Sequence, residues 1–210
     1  MIKVLIADDH AVVRKGLKQI LSRTNDLAVT DEAGTRREVL DKVVRNGHDL
    51  VVLDICMPGR SGLYILKEIK SRRPKLPVLV LGKDSEDQYA VRALKAGASG
   101  CLTKESQPEE IISAIRKVSQ GSKYISYSLA EKLALYLESG YGRPLHEILS
   151  DQEFQVLCMI SSGKTVKDIA NELCLSTKTI STYRFRILQK MKMKNNAELT
   201  NYSIRNQLVE

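Results

Sequence analysis

The chain has no tryptophan and only two phenylalanines among its 210 residues, which works against a small-molecule pocket walled by aromatic rings. No apolar run approaches the length of a bilayer span, so no membrane anchor is expected. The opening MIKVLIADDH places acids directly after its short apolar run, unlike a secretory leader, and a soluble cytoplasmic protein is expected. Cys56, Cys101, Cys158 and Cys174 include no C-x-x-C pair and no histidine at zinc spacing. Reduced thiols are therefore expected in place of a disulfide framework or a zinc cluster. Internal repeats and low-complexity tracts are also missing.

What the chain has in surplus is positive charge, a formal +8 from 33 basic and 25 acidic side chains. A balance of this kind favours polyanionic partners without choosing among nucleic acid, membrane and acidic protein. Its placement is more informative. Lys164, Lys167, Lys178, Arg184, Arg186, Lys190, Lys192 and Lys194 face only Asp168 and Glu172 in one C-terminal stretch.

Residues 1 to 120 alternate short apolar runs (KVLIADD, LAVTDEA, DLVVLD, PVLVLG, GCLTK) with amphipathic stretches near 11 to 22, 35 to 46, 62 to 72, 86 to 96 and 108 to 119. Continuous apolar runs between helices are the pattern of parallel strands covered on both faces. A doubly wound α/β domain with a five-stranded parallel sheet follows, with its site at the carboxyl ends of the strands. After Gly121 the alternation stops, and a linker over 121 to 145 holds one short helix near 128 to 138. From 146 to 210 the pattern is all helix, near 151 to 162, 166 to 173, 177 to 191 and 196 to 207. Ser150 and Glu153 are spaced for a capping box at its start.

Strand one ends in Asp8-Asp9, strand three in Asp54 and strand five in Lys104. Three carboxylates at one sheet edge repel and call for a cation; hard oxygen donors suit Mg²⁺. Carboxylate, metal and lysine together suit phosphoryl transfer onto an aspartate. Any one of these aspartates alone would more simply begin a loop. His10, beside the acidic pair, reads as a structural or exposed histidine more readily than as a ligand.

With Asp8-Asp9, the segment Asp54-Ile55-Cys56-Met57-Pro58-Gly59-Arg60-Ser61-Gly62 and Lys104, residues 1 to 120 resemble the receiver domain of two-component response regulators, a flavodoxin-like fold. The resemblance implies that Asp54 accepts a phosphoryl group from a sensor histidine kinase. It also implies Mg²⁺ on Asp9 and Asp54 directly, on Asp8 through water and on the Cys56 carbonyl, with Lys104 pairing the phosphoryl oxygens. Cys56 sits where the family's side chain influences hydrolysis of the phosphate.

GKTVKDIANELCLSTKTISTYRFRILQKMKMKN has the shape of a helix-turn-helix, with a turn at Cys174-Leu175-Ser176. Ile180, Tyr183, Ile187, Leu188 and Met191 are expected inside; Lys178, Ser181, Thr182, Phe185, Arg186 and Gln189 are expected outside. Lys178, Ser181 and Thr182 are placed near bases, and Thr179, Arg184 and Arg186 on phosphates. By itself this is equally a solvated basic face or one that meets an acidic protein. LCLSTKTISTY within 149 to 208 resembles the four-helix DNA-binding domain of the NarL/LuxR (FixJ) type, which implies DNA as partner and binding as a homodimer. Phe185 is unusual on such a face, suited to a thymine methyl or to a partner domain.

In receivers the residue ending strand four is normally serine or threonine, with an aromatic residue three before the lysine; here these switch positions hold Gly82 and Cys101. A hydrogen bond to a charged group is worth roughly 1.5 to 3 kcal/mol. Inverting a population from 1:99 to 99:1 takes about 5.5 kcal/mol. Three explanations stand: Lys83 or Ser85 supplies the donor, the signal leaves by another face, or DNA binding is largely independent of phosphate. The second, with weakened phosphate dependence, is the reading adopted. An aspartyl-phosphate phosphatase is disfavoured because Cys56 stands where such enzymes carry a second aspartate, so no enzyme acting on external substrates is expected. A receiver serving only as a constitutive dimerisation domain is favoured by Gly82 and Cys101 and disfavoured by the intact acidic set.

Overall fold

The computed structural model describes residues 1–45, 47–57, 62–82, 87–126, 129–131, 144–206 and 208–209. They form two compact units, one around a sheet and one of helices. In the first unit, strands β1 (Ile2–Ala7), β2 (Leu27–Ala33), β3 (Leu50–Asp54), β4 (Val78–Gly82) and β5 (Gly100–Thr103) alternate with helices α1 (Ala11–Leu21), α2 (Arg36–Val44), α3 (Gly62–Arg72), α4 (Asp87–Lys95) and α5 (Pro108–Ser119).

All strand pairs are parallel, in the order β2-β1-β3-β4-β5-β6, where β6 is Tyr124–Ile125. Alternating side chains feed two cores. Leu5, Val51, Leu53 and Val80 pack with Leu40 of α2 and Leu66 of α3, while Val4, Ile6, Val52 and Leu79 pack with Leu17 of α1 and Ile115 of α5. Every residue of β3 is buried, which is why its sequence shows no polar alternation.

The sheet has a sixth strand, β6 (Tyr124–Ile125), where five were expected. Two residues are too few for any periodicity to register. Their seat depends on Gly100, where a Cβ would stand 2.7 Å from the Tyr124 carbonyl oxygen. The first helical turn of the segment expected over 128 to 138 is present at residues 129–131. Its remainder, the break near 139 to 145, Pro58 to Ser61, and Lys83 and Ser85 lie outside the described residues.

The second unit opens with a 3-10 turn, Leu145–Ile148, and continues with α6 (Asp151–Ser161), α7 (Val166–Glu172), α8 (Thr177–Met191) and α9 (Asn196–Arg205). The expected capping box is present: Ser150 Oγ accepts from the Glu153 amide, and Glu153 accepts from that of Ser150. Burial works to raise the Glu153 carboxyl, but Lys190 at 2.6 Å and the Ser150 amide hold it below the ordinary value. Phe154, buried completely, packs its ring against buried His146, which is hydrogen-bonded to the Tyr202 hydroxyl at 2.9 Å. Cys174, between α7 and α8, takes a φ of +52°, a left-handed conformation that closes the turn.

Candidate functional site

Parallel strands end together, so the in-register pairs Asp54–Leu81 and Gly82–Thr103 set the last residues of β3, β4 and β5 along one edge. Asp54 is fully buried and Asp8 exposes 1% of its surface, while Asp9 is partly open. Lys104, which follows β5, places its Nζ 2.8 Å from Asp8 Oδ2 and 2.8 Å from Asp54 Oδ2. Its contact with Asp54 is a hydrogen bond; that with Asp8 is an ion pair without hydrogen-bond alignment. The Cys56 amide donates to the other Asp54 oxygen at 2.9 Å.

Burial pushes the Asp54 carboxyl up, against the Lys104 and Cys56 hydrogen bonds and with the help of the nearby Asp8 charge. Burial works to lower Lys104, yet its close contacts with Asp54 and Asp8 carry it above the ordinary lysine value. Among the described residues, three carboxylates against one fixed ammonium leave an excess of negative charge, which a divalent cation would balance. Ligand atoms of Asp8, Asp9, His10 and Asp54 all lie within 4.8 Å of one another. Among the described residues neither Asp8 Oδ2 nor Asp9 Oδ1 accepts an aligned hydrogen bond, although the Lys104 ammonium lies 2.8 Å from the first and His10 Nδ1 3.1 Å from the second. An oxygen-rich cluster with orphaned acceptors fits Mg²⁺.

His10 belongs to the cluster spatially although its side chain is largely exposed, with Nδ1 3.2 Å from Asp8 Oδ1 and 3.1 Å from Asp9 Oδ1. Sequence reasoning passed over Arg14, whose Nη1 donates to the Asp8 carbonyl at 2.7 Å and the Asp9 carbonyl at 3.3 Å and so anchors the acidic pair. One signal was available: a cation in the first turn of a helix opposes the helix dipole and needs a local reason. In the sequence Gly62 stands out only as part of a motif. A Cβ there would stand 2.5 Å from the Cα and carbonyl oxygen of Ile55, the residue after Asp54.

Gly82 ends β4, and its carbonyl accepts from the Lys104 amide at 2.8 Å. Cys101 is 5% exposed, with Sγ 3.8 Å from the Ala90 carbonyl, and burial pushes its thiol up to about 12. It is a neutral core side chain, unsuited to thiolate chemistry.

In the helical unit, Ser176 caps α8 by accepting from the Thr179 amide at 3.1 Å. Ile180, Ile187 and Met191 are buried, whereas Tyr183 and Leu188, expected inside, are only half-buried. The reason for Tyr183 is polar: its hydroxyl donates to Gln152 Oε1 at 2.5 Å. Lys178, Ser181, Thr182, Phe185, Arg186 and Gln189 are all exposed, as expected. Two side chains placed on phosphates have partners within the unit: Arg184 donates to Asn196 Oδ1 at 2.6 Å, and the Thr179 hydroxyl lies 2.8 Å from that of Ser176.

Residues 4–116 match the family model for the response regulator receiver domain, and residues 147–203 that of bacterial regulatory proteins of the luxR family. Response regulator GacA of Pseudomonas aeruginosa is 35% identical over 212 residues, covering 100% of this chain and 99% of its own. Response regulator UvrY of Escherichia coli is 34% identical over 209 residues, covering 99% and 96%. Among solved structures, RcsB of Salmonella enterica serovar Typhimurium, bound to promoter P1flhDC with the phosphomimetic BeF3-, superposes with a TM-score of 0.67 at 26% identity, covering 96% of this chain and 97% of that one. With a receiver site on its sheet edge and a luxR-type unit after it, this chain belongs to the response regulators.

Proposed function

We propose that the chain is a transcription factor switched by phosphorylation of Asp54, with residues 1–120 as receiver, 121–145 as linker and 146–210 as DNA-binding domain. The observation that carries this reading is the edge itself, where one lysine pairs with two buried aspartates beside Asp9 Oδ1, which accepts no hydrogen bond among the described residues. The Asp54 carboxylate attacks the phosphorus of a kinase phosphohistidine; an O–P bond forms, the P–N bond breaks, and the imidazole leaves and takes up a proton. Asp8, Asp9, Asp54 and the Cys56 carbonyl would hold Mg²⁺, which neutralises charge on the transferred group. Lys104 pairs with a phosphoryl oxygen. Arg14 keeps the acidic pair in place.

The second unit would bind promoter DNA as a homodimer, because one small module buries too little surface for specific affinity. Lys178, Ser181 and Thr182 would meet base edges, with Thr179, Arg184 and Arg186 nearer the phosphates. Such a protein works in the cytoplasm, beside its DNA and its kinase, and turns over no external substrate. Among the described residues no helix is long and apolar enough to cross a membrane.

Intact mass after incubation with acetyl phosphate and Mg²⁺ tests the acceptor. One phosphoryl adduct is expected on the parent protein and none on Asp54→Ala; an adduct on both would move the acceptor elsewhere.

A receiver with weakened phosphate dependence is favoured by Gly82, which offers no hydroxyl, and by Cys101, which is packed into the core. On this reading Gly82→Ser supplies the missing donor and tightens dimerisation of the phosphorylated protein about tenfold, the lower end of a hydrogen bond to a charged group. Sedimentation equilibrium on both phosphorylated proteins measures it, and equal constants would refute it.

A further inference from the structure

Helix α8 carries Lys178, Arg184, Arg186 and Lys190 and no acid at all. Its rotation about its own axis is pinned from both sides. Tyr183 is tied to Gln152, Arg184 to Asn196, and Ile180, Ile187 and Met191 are buried beneath.

That orientation forces Phe185 outward. It is 59% exposed, while the chain's other phenylalanine, Phe154, is fully buried. Three and four residues before it on the same helix face stand Thr182 and Ser181, with Lys178 one turn further, all exposed. A large aromatic ring set among hydroxyls and cations is poorly matched to water and to an acidic protein surface. It is well matched to a polyanion that presents an apolar group on its floor. The major groove of DNA does this at one base, through the 5-methyl group of thymine.

We propose that Phe185 is a specificity-determining residue that reads a thymine methyl in the major groove. The proposal rests on the reading that the outward face of α8 meets DNA, and it adds what that face selects. Phe185 supplies apolar contact; Ser181 and Thr182 supply hydrogen bonding to neighbouring base edges. The preference is for thymine at one position of each half-site, and its source is the methyl alone.

The test removes that methyl without altering base pairing. The full-length protein selects duplexes from a randomised pool, and each thymine of the selected duplex is replaced in turn by deoxyuridine. At one position per half-site the parent is expected to lose about fourfold in affinity, the weight of one methyl-sized group returned to water. Phe185→Ala should bind the thymine and uracil duplexes equally, and Phe185→Leu should retain part of the difference. Exposed Phe185 can be replaced without disturbing the fold, which the melting curve of each variant checks. Lys178→Ala should weaken both duplexes alike. Sequence-specific binding with no uracil-sensitive position, or with sensitivity that survives in Phe185→Ala, would overturn the proposal while leaving DNA binding intact. Selection that enriches no sequence would overturn both.

Discussion

Replacing Gly62 with alanine is expected to destabilise the receiver unit by about 3 kcal/mol, the upper part of the range for overpacking a tight site. The added methyl would stand 2.5 Å from Ile55 Cα and 2.5 Å from its carbonyl oxygen. No rotamer relieves this, because the obstructing atoms are backbone. The Gly62 amide also donates to that carbonyl at 3.0 Å, so the start of α3 and the end of β3 are joined at this contact. Movement of Ile55 displaces the Cys56 amide, which holds Asp54 Oδ1. Denaturant unfolding should therefore show a lower midpoint at an unchanged slope, and the variant should accept phosphate more slowly than its stability alone explains. A midpoint equal to that of the parent would show that the contact yields at no cost.

Magnesium is expected to stabilise the protein against heat. A ligand that binds only the folded state at a hundred times its dissociation constant contributes about 2.7 kcal/mol. For a unit of this size that is a shift on the order of 10 °C. The driving force is the crowding of carboxylates at the sheet edge, where the Lys104 ammonium pairs with Asp8 and Asp54 and Asp9 stands beside them. Asp9→Asn should lose most of the shift, since Asp9 Oδ1 is one of the orphaned acceptors. Asp54→Asn should melt above the parent without metal, because burial disfavours the Asp54 charge and the amide removes it. Scanning calorimetry with sodium chloride at matched ionic strength separates binding from screening. Equal shifts for parent and Asp9→Asn would exclude the acidic cluster as the site.

Both predictions depend on features that differ in how visible they were in the chain. The acidic cluster was legible because parallel strands between helices must end on one edge, so Asp8, Asp9, Asp54 and Lys104 meet whatever the details of packing. The helix-turn-helix was legible from its 3.6-residue periodicity and the basic residues left over on its other face. The sixth strand was not, being only Tyr124–Ile125 and held by a partner strand that Gly100 lets approach.

The sequence by itself determined the two-part organisation, the helix bounds to within a few residues, and which side chains of α8 face outward, since all of these follow from local periodicity and caps. Only the tertiary structure decided that Arg14 anchors the acidic pair through its carbonyls, that His10 stands at the cluster, and that Arg184 is held by Asn196. It alone placed Cys101 in the core and brought Gly62 against Ile55. These are contacts between elements, set by the approach of backbones and by the direction of single side chains, and no period along the chain records them.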